Sequence, residues 1–212
     1  MKTRSIIFIG ILTLVMSGCL VKSLHPFYKE SDVVFNNELV GTWLDEDSAT
    51  WRINPYVFTK GFMQGDSTDN SYLVEMFEDS TNMSTFNVHL FKLGDKLYLD
   101  FDPIRGDRYD EMIDIHMIPA HSIARIIFVS EDEVVITWFD EDWLNDLFEE
   151  NRVKIAHEVI TTSEGYITKE YVLTASTDEL QKFIIKYASD EDAYLCNDKK
   201  NNFMCTRLKK VK

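Results

Sequence analysis

From residue 39 onward the chain alternates apolar and polar positions in short runs separated by turn residues. Leu39-Val40-Gly41-Thr42-Trp43-Leu44 and Ala49-Thr50-Trp51-Arg52-Ile53 flank the polar Asp45-Glu46-Asp47-Ser48. This predicts a hairpin with a tryptophan on each arm. Ser71 to Glu78 alternates as a further strand. Thr85 to Asp102 is the clearest hairpin, because Gly94-Asp95 suits a two-residue turn whose first residue needs positive φ. That turn pairs Leu90 with Leu99 and Val88 with Phe101 on a core face. Phe91 then meets Tyr98, His89 meets Asp100 and Asn87 meets Asp102 on the other, a mixed face suited to a surface or a wet cavity wall.

Met112–Met117 and Ser122–Val129 read as strands with Pro119 between them, and Glu133–Phe139 follows a turn at Glu131-Asp132. A regular register pairs Ile127 with Ile136, Val129 with Val134 and Phe128 with Val135, and sets Arg125 opposite Trp138 to stack on it. Both faces of this pair are largely apolar, so one needs a cover. Strands are also expected near Val153–Thr161, Tyr166–Thr174 and Phe203–Lys209.

Two segments switch to helical spacing. Asp140-Glu141-Asp142 places negative charge before a stripe of Trp143, Leu144, Leu147 and Phe148. Ser176-Thr177-Asp178-Glu179 is a capping box, followed by Leu180, Phe183, Ile184 and Tyr187 at i, i+3, i+4 and i+7. About ten short strands in hairpin order with a helix before the last one predict a mainly β fold, an antiparallel meander or barrel with two α-helices. No repeat or Pro/Gly-rich linker divides residues 39–212, which are expected to form a single globular domain.

The N-terminus follows a different pattern. Lys2 and Arg4 precede Ile6–Val15, an apolar run too short to span a bilayer, for which about 20 residues are needed. The run ends in Leu14-Val15-Met16-Ser17-Gly18-Cys19, which resembles the lipobox of bacterial lipoproteins, with Met16 where Leu is usual. The resemblance implies that residues 1–18 are a signal peptide and that Cys19 becomes the acylated N-terminus. More than one acyl chain makes a stable anchor, each buried CH₂ contributing roughly 0.8 kcal/mol. Residue two of the mature chain is Leu20 rather than Asp. By resemblance to the enterobacterial sorting rule this implies the outer membrane. Leu20-Val21-Lys22-Ser23-Leu24 lacks the acidic cluster that sends some relatives to the cell surface, which implies the periplasmic face. Residues 19–38 then read as acylated terminus and tether, with Phe27, Tyr28 and Phe35 docking on the domain.

Removing residues 1–18 from 212 leaves 194, enough for one domain with a real core. The loss of Lys2 and Arg4 takes the net charge from −14 to −16. Such acidity argues against nucleic-acid partners and against charge-driven binding to anionic headgroups, so the lipid is expected to hold the protein at the membrane. The basic tail (Lys199, Lys200, Arg207, Lys209, Lys210, Lys212) is read as a last strand lying against the acidic body. With Cys19 acylated, Cys196 and Cys205 remain as an even pair for an oxidising compartment, and a disulfide between them is expected.

Gly41-Thr42-Trp43 resembles the Gly-x-Trp on the first strand of lipocalins and the wider calycin group. The late helix and terminal strand fit that order, and the resemblance implies that Arg207 packs on the tryptophan. The helix near Trp143–Glu150 is extra to the pattern. The segment from Leu24-His25-Pro26 through Trp43 also resembles lipoproteins of the Bacteroidetes type, which implies no activity.

Candidate chemistry is sparse. His116 and His121, with Asp114, have ligand types for zinc but face opposite sides of a continuous strand, so no metal site is expected. His89 opposite Asp100 has the types of a base and its orienting carboxylate, yet no nucleophile accompanies them. They read as a cross-strand contact, and no catalytic residue or cofactor is expected. The acidic loops Asp45-Glu46-Asp47 and Asp140-Glu141-Asp142 lack the spacing of a calcium loop. Trp43, Trp51, Phe86, Phe101 and Trp138 are the candidate lining of an apolar pocket. The leading expectation is an outer-membrane-anchored binding module for a hydrophobic or amphipathic ligand. The alternative is a non-catalytic accessory subunit that meets an envelope protein.

Overall fold

The computed structural model describes residues 20–59, 66–77, 83–104, 116–162, 168–196 and 205–211. The strands are β1 (Lys22–Ser23), β2 (Gly41–Leu44), β3 (Thr50–Thr59), β4 (Asp66–Phe77), β5 (Met83–Leu93), β6 (Lys96–Pro103), β7 (His121–Ser130), β8 (Glu133–Trp138), β9 (His157–Thr162), β10 (Thr168–Leu173) and β11 (Cys205–Lys210). Two helices, α1 (Glu141–Glu149) and α2 (Thr177–Tyr187), lie between β8 and β11.

Strands β2 to β8 form an antiparallel meander. β11 inserts between β8 and β2, and β6 pairs with β7, so eight strands close on themselves. The chain from α1 to α2 is thus an excursion between the seventh and eighth staves. Its hairpin β9–β10 joins the barrel through β1, which runs parallel to β10 and antiparallel to β7. Residues 20–38 are accordingly part of the fold, with Val21 and Phe27 fully buried. Two residues are too few for β1 to carry a periodicity, which is why pattern alone misses it.

The β5–β6 register is the one that the Gly94 turn dictates: Leu90 faces Leu99, Val88 faces Phe101, His89 faces Asp100 and Phe91 faces Tyr98. Gly94 takes φ 65°. The second face is neither a surface nor a wet wall, for Phe91, His89, Tyr98 and Asp100 are all buried. Phe27 and the buried faces of both helices cover it, forming a second core outside the barrel. The helix signals translate directly. Asp140 caps α1 by accepting from the amides of Asp142 and Trp143, and the Ser176 amide donates to Glu179 at 3.1 Å.

The β7–β8 register departs from expectation by one residue. Ile126 faces Ile136, Ile127 faces Val135 and Phe128 faces Val134, because a bulge at Val129 shifts the ladder beyond Ser130–Glu133. The regular register would have aimed Arg125 into the barrel beside Trp138. With the bulge Ala124, Ile126 and Phe128 turn inward, Arg125 pairs with Thr137, and its guanidinium lies over Tyr194 at 5.8 Å. The cover on the outer face is partial. Ile123 is buried beneath it, while Ile127 and Val129 stay exposed. The strand expected at Met112–Met117 lies mostly outside the described residues, and His116 at its end sits in a turn.

One end of the barrel is plugged. A 3-10 turn at Asn37–Leu39 crosses beneath it and buries Leu39. The Trp43 indole N–H donates to the Leu39 carbonyl at 2.8 Å. The basic residue over Trp43 is Lys210, not Arg207. Strand alternation turns Leu208 and Lys210 toward the interior and Arg207 outward to Glu133 and Glu46. Lys210 Nζ stands 5.0 Å from the Trp43 ring centre and donates to the Glu38 carbonyl at 2.8 Å. Gly41 permits this path, since a Cβ there would lie 2.8 Å from Lys210 Cε and the residue holds φ 144°. Tyr72 pins the same end, its hydroxyl accepting from the Asn36 amide at 2.7 Å and donating to the Asn36 carbonyl at 3.1 Å. Gly41→Ala should therefore destabilise the protein by about 1–3 kcal/mol. Lys210→Met, which keeps the bulk but removes the cation over Trp43, should cost about 1 kcal/mol. Urea unfolding checks both, and two wild-type midpoints would contradict the role given to the plug.

Candidate functional site

The opposite end of the barrel is where β8 leaves the sheet. Phe86, Phe101 and Trp138 meet there. Phe86 packs edge-on against Phe101 with ring centres 5.8 Å apart, and Phe101 lies 4.6 Å from Trp138. Register brings them together from three strands, with Val88 opposite Phe101 and Ala124 opposite Trp138. Phe101 is fully buried, whereas Phe86 is half-buried and Trp138 is 9% exposed, so these two form the outermost layer of the aromatic set. Trp51 lies next to the β2–β3 turn, where its indole N–H donates to Asp45 at 3.3 Å. Trp43 faces Trp51 across the ladder but serves the plug. All five candidate lining residues belong to the single cluster that fills the barrel interior. An eight-stranded barrel has an interior just wide enough for side chains or for one small ligand.

Two residues that the sequence pattern does not single out pack at this rim. Leu20 bridges to Asp140 and packs on the interior cluster. Leu195 does the same from the other side, its amide donating to the Trp138 carbonyl at 3.0 Å. Next to it a disulfide joins Cys196 to Cys205, with Cα atoms 4.9 Å apart, and ties the end of the excursion to the start of β11. Cys19 lies outside the described residues.

The remaining candidates sort differently. Asp114 is outside the described residues, and among those described no group of His, Cys, Asp and Glu is placed to hold a metal ion. His89 and Asp100 are opposite in register, yet the partner of Asp100 is His121, whose Nδ1 lies 2.7 Å from Oδ1. The other carboxylate oxygen accepts the Phe27 amide at 2.7 Å. His89 instead stacks on Tyr28 with ring centres 4.1 Å apart. Asp100 is wholly buried, so the pair reads as a pin that fastens the N-terminal segment across β6 and β7. The fragment His-x₄-His gave no hint of it, because the carboxylate comes from another strand. Asp140 and Glu141 are buried helix-start residues rather than solvated loop acids, while Asp45 accepts from the amides of Asp47 and Ala49 and shapes its turn. Neither a family model, nor a curated protein, nor a solved structure matches the chain.

Three groups, Glu141 buried and His121 and Asp102 partly buried, tie stability to pH. Burial opposes the charged imidazole of His121, but its bond to Asp100 and the charges of Asp100 and Asp102 outweigh that and hold its pKa above the ordinary value. Burial raises the Asp102 carboxyl. Burial also pushes Glu141 up to about 7, with Lys22 and the Tyr171 amide pulling the other way. A group whose pKa is raised by folding contributes stability below its unfolded value and loses it as pH rises through the folded value. All three therefore act in one direction. Stability should fall as pH climbs from about 4.5 through 7, with Glu141 responsible for at most about 3 kcal/mol. Glu141→Gln keeps an acceptor for Tyr171 and should flatten this fall. Urea unfolding at pH 5 and pH 8 checks it, and an equal loss in the variant would contradict the assignment.

Proposed function

We propose that this protein is a lipid-anchored binding module of lipocalin-like design, which holds a hydrophobic or amphipathic small molecule at the unplugged end of its barrel. The observation that carries the reading is the asymmetry of the barrel. One end is sealed by Leu39, Trp43 and Lys210, the Trp43 indole donating to the Leu39 carbonyl and Lys210 lying over the ring while donating to the Glu38 carbonyl. The other presents Phe86, Phe101 and Trp138 as an aromatic layer, and Trp138 and Phe86 are incompletely buried. Ligand sites are concave, mainly apolar and often lie in barrel mouths. The anchor is Cys19, attached by its lipid to the outer membrane on the periplasmic side. That assignment rests on the Leu14–Cys19 pattern and on Leu20 at the second mature position. No helix among the described residues is long and apolar enough to cross a membrane.

A second reading, an accessory subunit of an envelope complex, is favoured by one feature. β9 ends the strand order and exposes Val159 and Ile160. An edge of this kind can accept a strand from another chain.

Native mass spectrometry of residues 20–212 purified from the host periplasm distinguishes the two. The binding module should carry an added mass that extracts into organic solvent. Phe86→Glu, a charge at the half-buried rim position, should abolish that mass while leaving the folded circular-dichroism spectrum intact. A bare mass, without uptake of a fluorescent fatty acid, would overturn the ligand reading.

A further inference from the structure

The N-terminal segment 20–32 is fastened to the fold but is not a stave of the barrel. β1 contributes only two residues to pairing, yet it is the strand through which β10 and β9 join β7. Beyond β1 the segment is held by side-chain pins rather than by a ladder. The wholly buried Asp100 carboxylate accepts the Phe27 amide at 2.7 Å and holds His121 through its other oxygen. His121 also stands opposite Ser23 of β1. From α2, the Thr177 hydroxyl donates to the Pro26 carbonyl at 2.8 Å. Gln181 donates to the Phe27 carbonyl at 3.1 Å and to Asp32 at 2.8 Å. Lys29 pairs with Asp178 at the surface. Glu141, buried at the start of α1, accepts the Tyr171 amide of β10 at 3.4 Å, within reach of the Lys22 charge on β1.

The charges around these pins set a direction with pH. Asp100 and Asp102 of β6 act on His121, and His89 of β5 acts on Asp102. Lys22 of β1 attracts the Glu141 charge, whereas Glu170 of β10 and Asp142 of α1 repel it. Gln181, which meets Phe27 from α2, carries no charge. In mild acid His121 is a cation beside two carboxyls, and Glu141 is an uncharged buried acid. As pH rises, His121 loses its charge and leaves Asp100 buried without the cation beside it. Glu141 must then ionise at a site where burial outweighs the pull of Lys22. Both penalties are relieved when the segment lifts and water reaches the carboxylates. We propose that residues 20–32 form a pH-operated clasp, shut in mild acid and released as pH rises past neutrality, which opens while the barrel stays folded. The barrel closes without it, since β6 pairs with β7 through five residues and β11 with β8 through five. Release takes Phe27 out of the second core and parts the β9–β10 hairpin from β7. The clasp is independent of the ligand and of the lipid anchor.

Hydrogen–deuterium exchange read by mass spectrometry tests it on the full chain as its host produces it, solubilised in detergent. Labelling at pH 5 and pH 8 uses times matched for intrinsic exchange. The expected result is a loss of protection at pH 8 in residues 20–32 and in β10, with β5, β6 and the turn at Asn37–Leu39 unchanged. Each proton released raises the opening constant by up to about tenfold per pH unit across its titration. Glu141→Gln, which cannot ionise, should restore protection of the segment at pH 8 by about tenfold or more. His121→Leu, which leaves Asp100 without its cation at any pH, should open the segment already at pH 5. Equal protection of the wild-type segment at the two pH values overturns the clasp, whatever becomes of the variants. Protection lost to the same degree in β5 and β6 makes the effect global and overturns it as well. A wild-type pH response in Glu141→Gln overturns the part given to that carboxyl.

Discussion

A meander becomes a barrel only if its last strand finds its first. Here that closure rests on a short seam. β11 pairs with β8 through five residues but with β2 through only two, Lys209 with Leu44 and Lys210 with Trp43. The Lys210 side chain reinforces the weak side. It crosses Gly41, covers the Trp43 ring and binds the Glu38 carbonyl, so one cation joins the last strand, the first strand and the turn beneath them. Trp43 then holds Leu39, and Tyr72 holds Asn36. The Gly-x-Trp pattern is thus a packing requirement, in which glycine makes room for the lysine that lies on the tryptophan.

The mainly β architecture, the β5–β6 register and both helices were legible because each is a local signal: a turn glycine, a two-residue period, a capping box. The failures have a common cause in contacts between residues far apart in sequence. The bulge at Val129 leaves Arg125 outside the barrel, an outcome that a strand pair read alone does not reveal. Choosing Arg207 over Lys210 depended on which side of β11 faces inward, and neither residue announces it. His121 as the partner of Asp100, and β1 between β7 and β10, arise only when the N-terminal segment lies across the finished sheet. Of the candidate site, the aromatic residues were legible as a set. Their division between the plugged end and the opposite end was not, because it depends on strand direction around the closed sheet.

The excursion between β8 and β11 gives the barrel a second core. Trp143, Leu144, Phe183 and Ile184 bury Phe91, Tyr98 and Ile123 from outside, so one wall of the barrel is apolar on both faces. Within that wall lie the Asp100–His121 pin, and nearby the raised carboxyl of Glu141 beneath β1. This excursion also delivers Leu195 to the rim, while β1 delivers Leu20. That end of the barrel is therefore framed by the two segments that leave and rejoin it.

The claim that matters most is that one end of the barrel receives a ligand and the other does not. Amide NMR of residues 20–212 titrated with a medium-chain fatty acid tests it directly. The account predicts saturable shifts at Phe86, Phe101, Trp138 and Leu195, with Leu39, Trp43 and Lys210 unmoved. Shifts centred on the plugged end, or none up to the solubility limit of the fatty acid, would contradict it.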